Sequence, residues 1–375
     1  MNYTIPLFDL HYDHDESLAA KNVIDSKWIS MGPQVKVFEN AFTKHLNVKY
    51  TVAVCNCTAA LHLALLILDI SRGDEVIVPS LTFVATVNAV KYVGASPVFC
   101  DVTSFNDFSL DPDDIRSKIT NKTKAVIVMH YGGFACNMGK IMSIARDHNL
   151  YVIEDAAHAP DSEYQKQKLG TIGDIGCFSF FSNKNISCAE GGALVTNNEE
   201  YAHKARLLRS HGMTTLSFDR AKGHATEYDV ISLGYNYRID DIRGALILSQ
   251  LDKLKADTDK RKYLRGIYCE QLKNNPKIIV PYDLYEERTS NYIFPILLKD
   301  STEEKRNNVR DQLRREGIET SVHYPAVHRF SIYRQFSCQL PKTDYIAKNE
   351  ITLPLFYSLE EENIAHITFA LKKII

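Results

Sequence analysis

The sequence has almost no imbalance of charge. Its 44 Lys and Arg stand against 46 Asp and Glu, a formal net charge of −2 over 375 residues. That excludes a basic footprint for nucleic acid or for an anionic membrane surface. Long hydrophobic runs are missing too. The most apolar stretch, "AALHLALLILDI" (59–70), is too short to span a bilayer. The opening "MNYTIPLFDLHYDHDES" has neither a basic n-region nor an apolar h-region, so no secretory signal is expected in it. The eight cysteines (Cys55, Cys57, Cys100, Cys136, Cys177, Cys188, Cys269 and Cys338) form no CxxC pair and no zinc-like spacing. They read as small buried side chains in a reducing compartment, and a cytoplasmic location is expected. No GxGxxG follows the first strand-like run, and "GTIGDIG" (170–176) has the wrong spacing and position for a nicotinamide fingerprint. There is no GxxxxGK[ST], hence no P-loop. His323 and His328 in "HYPAVH" come without an HExxH motif, so no metal is expected. His211 and His224 stand alone and read as loop residues.

What is present is an ordinary globular composition, 45% hydrophobic and 24% charged, at a length that suits two domains. Strand-like runs fall at 50–55, 74–79, 96–101, 124–129, 150–155, 177–181 and 192–196. Several are apolar throughout, as in strands buried on both faces. Helical periodicity lies between them: Val35, Phe38 and Phe42 share a face, Leu61, Leu65 and Leu68 another, and Met138 to His148 fills the gap before the fifth strand. The alternation predicts an α/β domain with a mostly parallel sheet over residues 1–250. A long helix from about Ile239 to Asn274 links it to a small α+β domain, residues 251–375, with a strand at "NYIFPILL" (291–298). Ser301 with Glu304 and Ser358 with Glu361 predict two helix starts, and Gly317 a helix stop. Ile364, Ile367, Leu371 and Ile374 share a face of the last helix.

In a parallel sheet, ligands bind beyond the carboxyl ends of the strands. The first strand ends in "CNCTAALHLAL", where a helix starts at once. The backbone N–H groups of Thr58, Ala59 and Ala60, with the Thr58 hydroxyl, make either an anion cradle or a plain N-cap. The fifth strand ends in "VIEDAAHAP". Glu154 and Asp155 there need a cation or strong donors, supplied by a cofactor ring nitrogen or by a structural network. His158 follows one turn later. In "CFSFFSNKNISCAEGGALVTNN", Lys184 stands just past a strand, either on a solvated turn or desolvated by Phe178, Phe180 and Phe181. Desolvation would make its neutral amine a nucleophile. Cradle, acid and lysine together are the equipment for pyridoxal 5′-phosphate: an anion site for the phosphate, an acid for the pyridine nitrogen, a lysine for the Schiff base.

The ordered stretches "NCTAALHLAL", "VPSLTFVATVNAV", "VIEDAAHA", "CFSFFSNKNISCAEGGALVTN" and "GYNYRIDDIRGALILSQL" resemble the DegT/DnrJ/EryC1/StrS family, sugar-nucleotide aminotransferases of fold type I. The likeness runs from "WISMGPQVKVFENAF" to "HYPAVH" and "LPLFYSL". It implies pyridoxal 5′-phosphate, passing through pyridoxamine 5′-phosphate, with Lys184 as the lysine that bonds the cofactor and then carries the proton. It further implies that Asp155 pairs with the pyridine nitrogen, that His158 sits by the phenolic oxygen and that Phe83 stacks on the ring. Thr58, Ala59 and Ser179 would hold the phosphate. Asn236 would reach the phosphate of a neighbouring subunit, making the enzyme a homodimer with active sites at the interface. The expected reaction moves an amino group from L-glutamate to a nucleotide-linked keto-sugar, a 4-keto sugar, for amino-sugar or surface polysaccharide synthesis. His323, Tyr324 and a mobile stretch at 210–229 are expected near the sugar. The chain departs from the family at Cys57, where Gly is common. A subgroup has His in place of the lysine and dehydrates its sugar; Lys184 points to transamination. A sugar dehydratase, a cyclitol-ketone aminotransferase and a non-catalytic sugar-nucleotide-binding protein are the alternatives.

Overall fold

The structure is a computed structural model and describes residues 3–215 and 227–375. Residues 216–226, most of the stretch expected near the sugar and including His224, lie outside the described residues. All seven strand-like runs form strands: β1 (Tyr50–Val54), β2 (Glu75–Pro79), β3 (Ser96–Cys100), β4 (Thr123–Met129), β5 (Tyr151–Asp155) and, after a short hairpin of β6 (Glu163–Tyr164) and β7 (Gln167–Lys168), β8 (Ile175–Ser179) and β9 (Gly192–Thr196). The long strands make one sheet in the order β1-β9-β8-β5-β4-β2-β3. β9 runs antiparallel to both neighbours, and the other pairings are parallel.

Helices cover both faces of this sheet: α1 (His14–Asp25), α2 (Pro33–Leu46), α3 (Cys57–Ile67), α4 (Ala85–Tyr92), α5 (Pro112–Lys118), α6 (Met138–His148) and α7 (Glu199–Arg209). Alternate residues of one strand serve different cores. Val52 and Val54 pack with the leucines of α3, while Ala53 packs with Phe38 and Phe42 of α2. The same alternation corrects the expected lysine wall. Phe178 and Phe180 point into the α2 core, where they meet Phe42 and Phe38 edge-on at 5.1 and 5.4 Å. Cys177 and Ser179 face the other way.

The long helix α8 (Asp241–Leu272) continues unbroken past residue 250. Its first half packs on α2, and its last turns enter a second core. That core lies against an antiparallel sheet of β10 (Ile278–Ile279), β11 (Phe294–Leu298) and β12 (Glu350–Leu353), with α9 (Glu303–Arg315), α10 (Pro341–Asn349) and α11 (Glu361–Ile374) around it. Ile5, from the start of the chain, belongs to it too: it bridges to Ile318. Two helix starts differ from expectation. Thr302, not Ser301, caps α9 by accepting the Lys305 N–H. α11 begins at a box of Glu360 and Asn363 rather than Ser358 and Glu361. Gly317 does follow the end of α9, at φ +78, where a side chain would be strained.

Candidate active site

A cavity of about 480 Å³ opens at the carboxyl ends of β1, β5 and β8. A slightly larger one, about 520 Å³, lies between α1, α2 and α8. Its one lysine, Lys253, is tied by ion pairs at 2.8 Å to Asp13 and Glu16, and no histidine or cysteine lines it. The chemistry therefore gathers in the first cavity. Thr58, Phe83, Asp155, His158, Ser179, Lys184, His323 and Tyr324 all line it.

Of the two carboxylates on β5, the structure sorts one into architecture and one into the cavity. Glu154 accepts the N–H groups of Gly170, Ile172 and Gly173, each at 2.7 Å, and a hydrogen bond from His130 Nε2 at 2.9 Å. His130 Nδ1 accepts from the Cys136 N–H, which places the ring proton on Nε2. Asp155 points the other way, as successive strand residues do. It accepts from Thr86 Oγ1 at 2.7 Å and from the Ala157 N–H at 3.2 Å. Burial pushes its carboxyl above the ordinary range, against the pull of those donors and of Lys184. Among the described residues no ion pair holds it, so a buried acid faces the cavity with room for a cationic partner.

Lys184 follows β8 in a turn closed by its own N–H on the Phe181 carbonyl at 2.9 Å. Only Phe181 of the three phenylalanines reaches the cavity. The desolvating surface comes instead from Tyr292, whose buried ring lies 4.2 Å from Lys184 Nζ. Burial lowers the lysine pKa from 10.5 to about 8, although Asp155 and Cys57 pull it upward. At pH 7 that raises the neutral fraction about 300-fold over an ordinary lysine.

Asn56 caps α3, its Oδ1 accepting the Ala59 N–H at 2.8 Å. Ala59 is thereby corrected as a phosphate donor. The Cys57 and Thr58 N–H groups open the first turn with no carbonyl one turn back to bind, and both residues line the cavity. β9 presses on this cradle: a Cβ on Gly192 would fall 2.4 Å from the Asn56 carbonyl carbon and 2.6 Å from the Cys57 nitrogen. Only glycine permits that approach.

His158 is fixed in one tautomer. Its Nδ1 accepts the Gly132 N–H at 3.2 Å, so Nε2 carries the proton and donates to the Tyr324 hydroxyl at 3.0 Å. Burial and Lys184 hold it neutral. The Tyr324 hydroxyl is left free to donate its own proton into the cavity. Phe83 stands at the mouth, 57% exposed, its ring 6.1 Å from that of Tyr324. Asn236 is exposed and outside this cavity, on a segment bridged to Ser210. Sequence reasoning missed Thr86, Tyr292 and Gly192. Thr86 stood one turn past Phe83 and Gly192 in the Gly-Gly pair, but nothing marked Tyr292 except its place in the expected strand at 291–298, which in the structure begins at Phe294.

These residues fit a phosphorylated, cationic-ring cofactor: free first-turn N–H groups at one end, an unpaired buried carboxylate at the other, a lysine of lowered pKa between them. Comparison with known proteins agrees. The DegT/DnrJ/EryC1/StrS aminotransferase family matches residues 11–372. GDP-perosamine synthase of Escherichia coli O157:H7 is 37% identical over 364 residues, covering 97% of this chain and 96% of that protein. Among solved structures, Helicobacter pylori PseC, an aminotransferase involved in the biosynthesis of pseudoaminic acid, superposes with a TM-score of 0.92 at 30% identity, covering 100% of this chain and 99% of its own. Streptococcus pneumoniae Spr1654, solved in PLP and PMP forms, superposes at 0.91 with 27% identity and full coverage of both chains. With strand ends whose side chains fit pyridoxal phosphate and a match over nearly its whole length, the chain belongs to the DegT/DnrJ/EryC1/StrS aminotransferase family.

Proposed function

We propose that this enzyme moves an amino group from L-glutamate to the keto carbon of a nucleotide-linked deoxy sugar, a 4-keto sugar, in amino-sugar or polysaccharide synthesis. The observation that carries the reading is the pairing, in one cavity, of Lys184 with a wall of neutral hydrogen-bonding groups suited to an uncharged sugar. His158, His323 and Tyr324 make that wall, and burial holds each in its neutral form. The names of GDP-perosamine synthase and PseC point to sugars as well.

Pyridoxal phosphate, when bound, supplies the electron sink that makes a proton on the amine-bearing carbon removable. The chain supplies the rest. Thr58, the Cys57 N–H and Ser179 bind the phosphate. Asp155, oriented by Thr86 and the Ala157 N–H, holds the ring nitrogen protonated. Phe83 covers the ring face. Lys184 Nζ takes and returns the proton, since a pKa near 8 lets it act as acid and base near neutral pH. Asn236 reaches the phosphate in a second subunit, so the working unit is a homodimer, in the cytoplasm.

The test has two stages. Purified protein with pyridoxal phosphate should show the visible absorption of lysine-bound cofactor. L-glutamate should discharge it with release of 2-oxoglutarate, and Lys184→Ala should do neither. A panel of nucleotide-linked keto-sugars, with labelled glutamate nitrogen, should then yield one amino sugar carrying the label. Release of a deoxygenated sugar without the label would replace amino transfer by dehydration.

A further inference from the structure

A second chain of polar groups approaches the cavity from the small domain. Glu350 opens β12 and is fully buried. Its Oε2 accepts the His323 N–H at 2.8 Å, and its Oε1 accepts from Thr352 Oγ1 at 2.5 Å. Thr352 Oγ1 lies in turn 2.8 Å from His323 Nδ1. The Tyr131 hydroxyl donates to the His323 carbonyl and pins the backbone there. With Nδ1 turned to Thr352, Nε2 is the ring nitrogen that the protein leaves to the cavity.

A threonine hydroxyl has one proton, so the chain has two self-consistent states. With Glu350 ionised, Thr352 donates to Oε1 and must accept from His323 Nδ1–H. Nε2 is then a bare acceptor. With Glu350 protonated, the proton must sit on Oε1, because Oε2 faces an N–H. Thr352 then accepts from the acid and donates to Nδ1, and His323 carries its proton on Nε2. We propose that Glu350, Thr352 and His323 form a proton relay in which the charge of Glu350 decides which tautomer His323 presents to the cavity, and through which a substrate oxygen is protonated. Only the identity of that oxygen rests on the sugar reading above.

The step balances. A keto oxygen replaced by an amine leaves as water and must be protonated to do so. His323 Nε2–H gives its proton to that oxygen, the Thr352 proton passes to Nδ1, and the Glu350 proton passes to Thr352, leaving a carboxylate. No imidazolium forms, which suits a ring whose pKa burial and Lys184 lower to about 3. Burial raises the Glu350 carboxyl from 4.5 to about 8, against the hydrogen bonds of Thr352 and the His323 N–H and the charges of Arg306 and Arg310. Lys184 and His158 face His323 from the sheet side, and neutral Tyr324 lies next to it. Glu350 and Thr352 act through His323 and touch no substrate.

The test reads the tautomer directly, by nitrogen NMR of cofactor-free protein labelled at histidine, with His323 assigned by substitution. The wild type should pass from Nε2–H to Nδ1–H as pH rises, with a midpoint near 8. Glu350→Gln, whose amide always donates to Thr352, should hold Nε2–H throughout. Thr352→Ser should titrate like the wild type, and Thr352→Val should not. A single wild-type tautomer across the range, or a Glu350→Gln or Thr352→Val protein that titrates like the wild type, overturns the relay. These spectra need no sugar, so they stand or fail apart from the proposed reaction. In turnover, Glu350→Gln has no acid proton to pass to Thr352, so its sugar half-reaction should be slower than the wild type below about pH 8 and converge on it above, where Glu350 is itself ionised. An equal rate below about pH 8, or a deficit that does not change with pH, overturns proton delivery to the substrate.

Discussion

Replacing Lys184 by methionine should stabilise the cofactor-free protein, fully below the lysine's folded-state pKa of about 8 and progressively less from there to its ordinary 10.5. Burial disfavours the ammonium and lowers its pKa from 10.5 to about 8. Between those two values the unfolded chain keeps a proton that the folded chain has lost, so wild-type stability rises with pH across that window. Below it the folded state bears the whole penalty, about 3 kcal/mol at 1.36 kcal/mol per pH unit. The ammonium recovers roughly 0.5–2 kcal/mol of this from the Tyr292 ring beneath it. The net cost is about 1–3 kcal/mol, and methionine removes it while keeping nearly the same length of chain. A protein of 375 residues has an unfolding entropy of about 0.8 kcal/mol/K near its midpoint. Cofactor-free Lys184→Met should therefore melt about 1–4 °C above the wild type near pH 6.5, with the gap closing toward about pH 10.5. Scanning calorimetry at matched protein concentration measures both, since the midpoint of any self-associating protein moves with concentration. A variant less stable than the wild type at acid pH, or a gap that does not change with pH, refutes the desolvated lysine.

Glu154→Gln should cost about 3–5 kcal/mol, because an amide cannot accept at both ends from three N–H groups and His130. Chemical denaturation measures it. The protein that remains folded should still take up pyridoxal phosphate, and loss of uptake at unchanged stability would give Glu154 the role assigned to Asp155. If the active site is shared as proposed, Asn236→Ala and Lys184→Ala should each be inactive alone. Random mixing of the two after subunit exchange should restore about a quarter of wild-type turnover, since half the dimers then hold one intact site of two. No recovery would place Asn236 in its own subunit's site, and an Asn236→Ala protein active by itself would place it outside the site.

The sheet was legible because its information is local. Runs such as "AVIVM" (125–129) and "ALVT" (193–196) carry no charge on either face, and only a covered strand tolerates that. The convergence of Thr58, Asp155, Ser179 and Lys184 was legible for a related reason: parallel strands deliver their ends to one edge. Helix starts slipped where neighbours competed. Ser301 and Thr302 are both able caps, and the chain's path rather than its sequence chooses Thr302.

What the sequence could not disclose is who desolvates Lys184 and who faces His323. Phe178 and Phe180 looked like the lysine's wall by adjacency, yet strand alternation turns them to the opposite core, and the wall is Tyr292, from beyond the long helix. Glu350 in "KNEITLPL" reads as the charged end of a strand, an ordinary surface position. Antiparallel pairing of β12 with β11 and the bridge from Ser321 to Thr352 bury it and set it against His323. Its perturbed acidity is made by tertiary contacts alone. The groups proposed to bind the cofactor thus stand at or just past strand ends of the first sheet, where a pattern can mark them. Glu350 and Thr352, proposed to set the tautomer of His323, come from β12 and carry no mark until that strand meets His323.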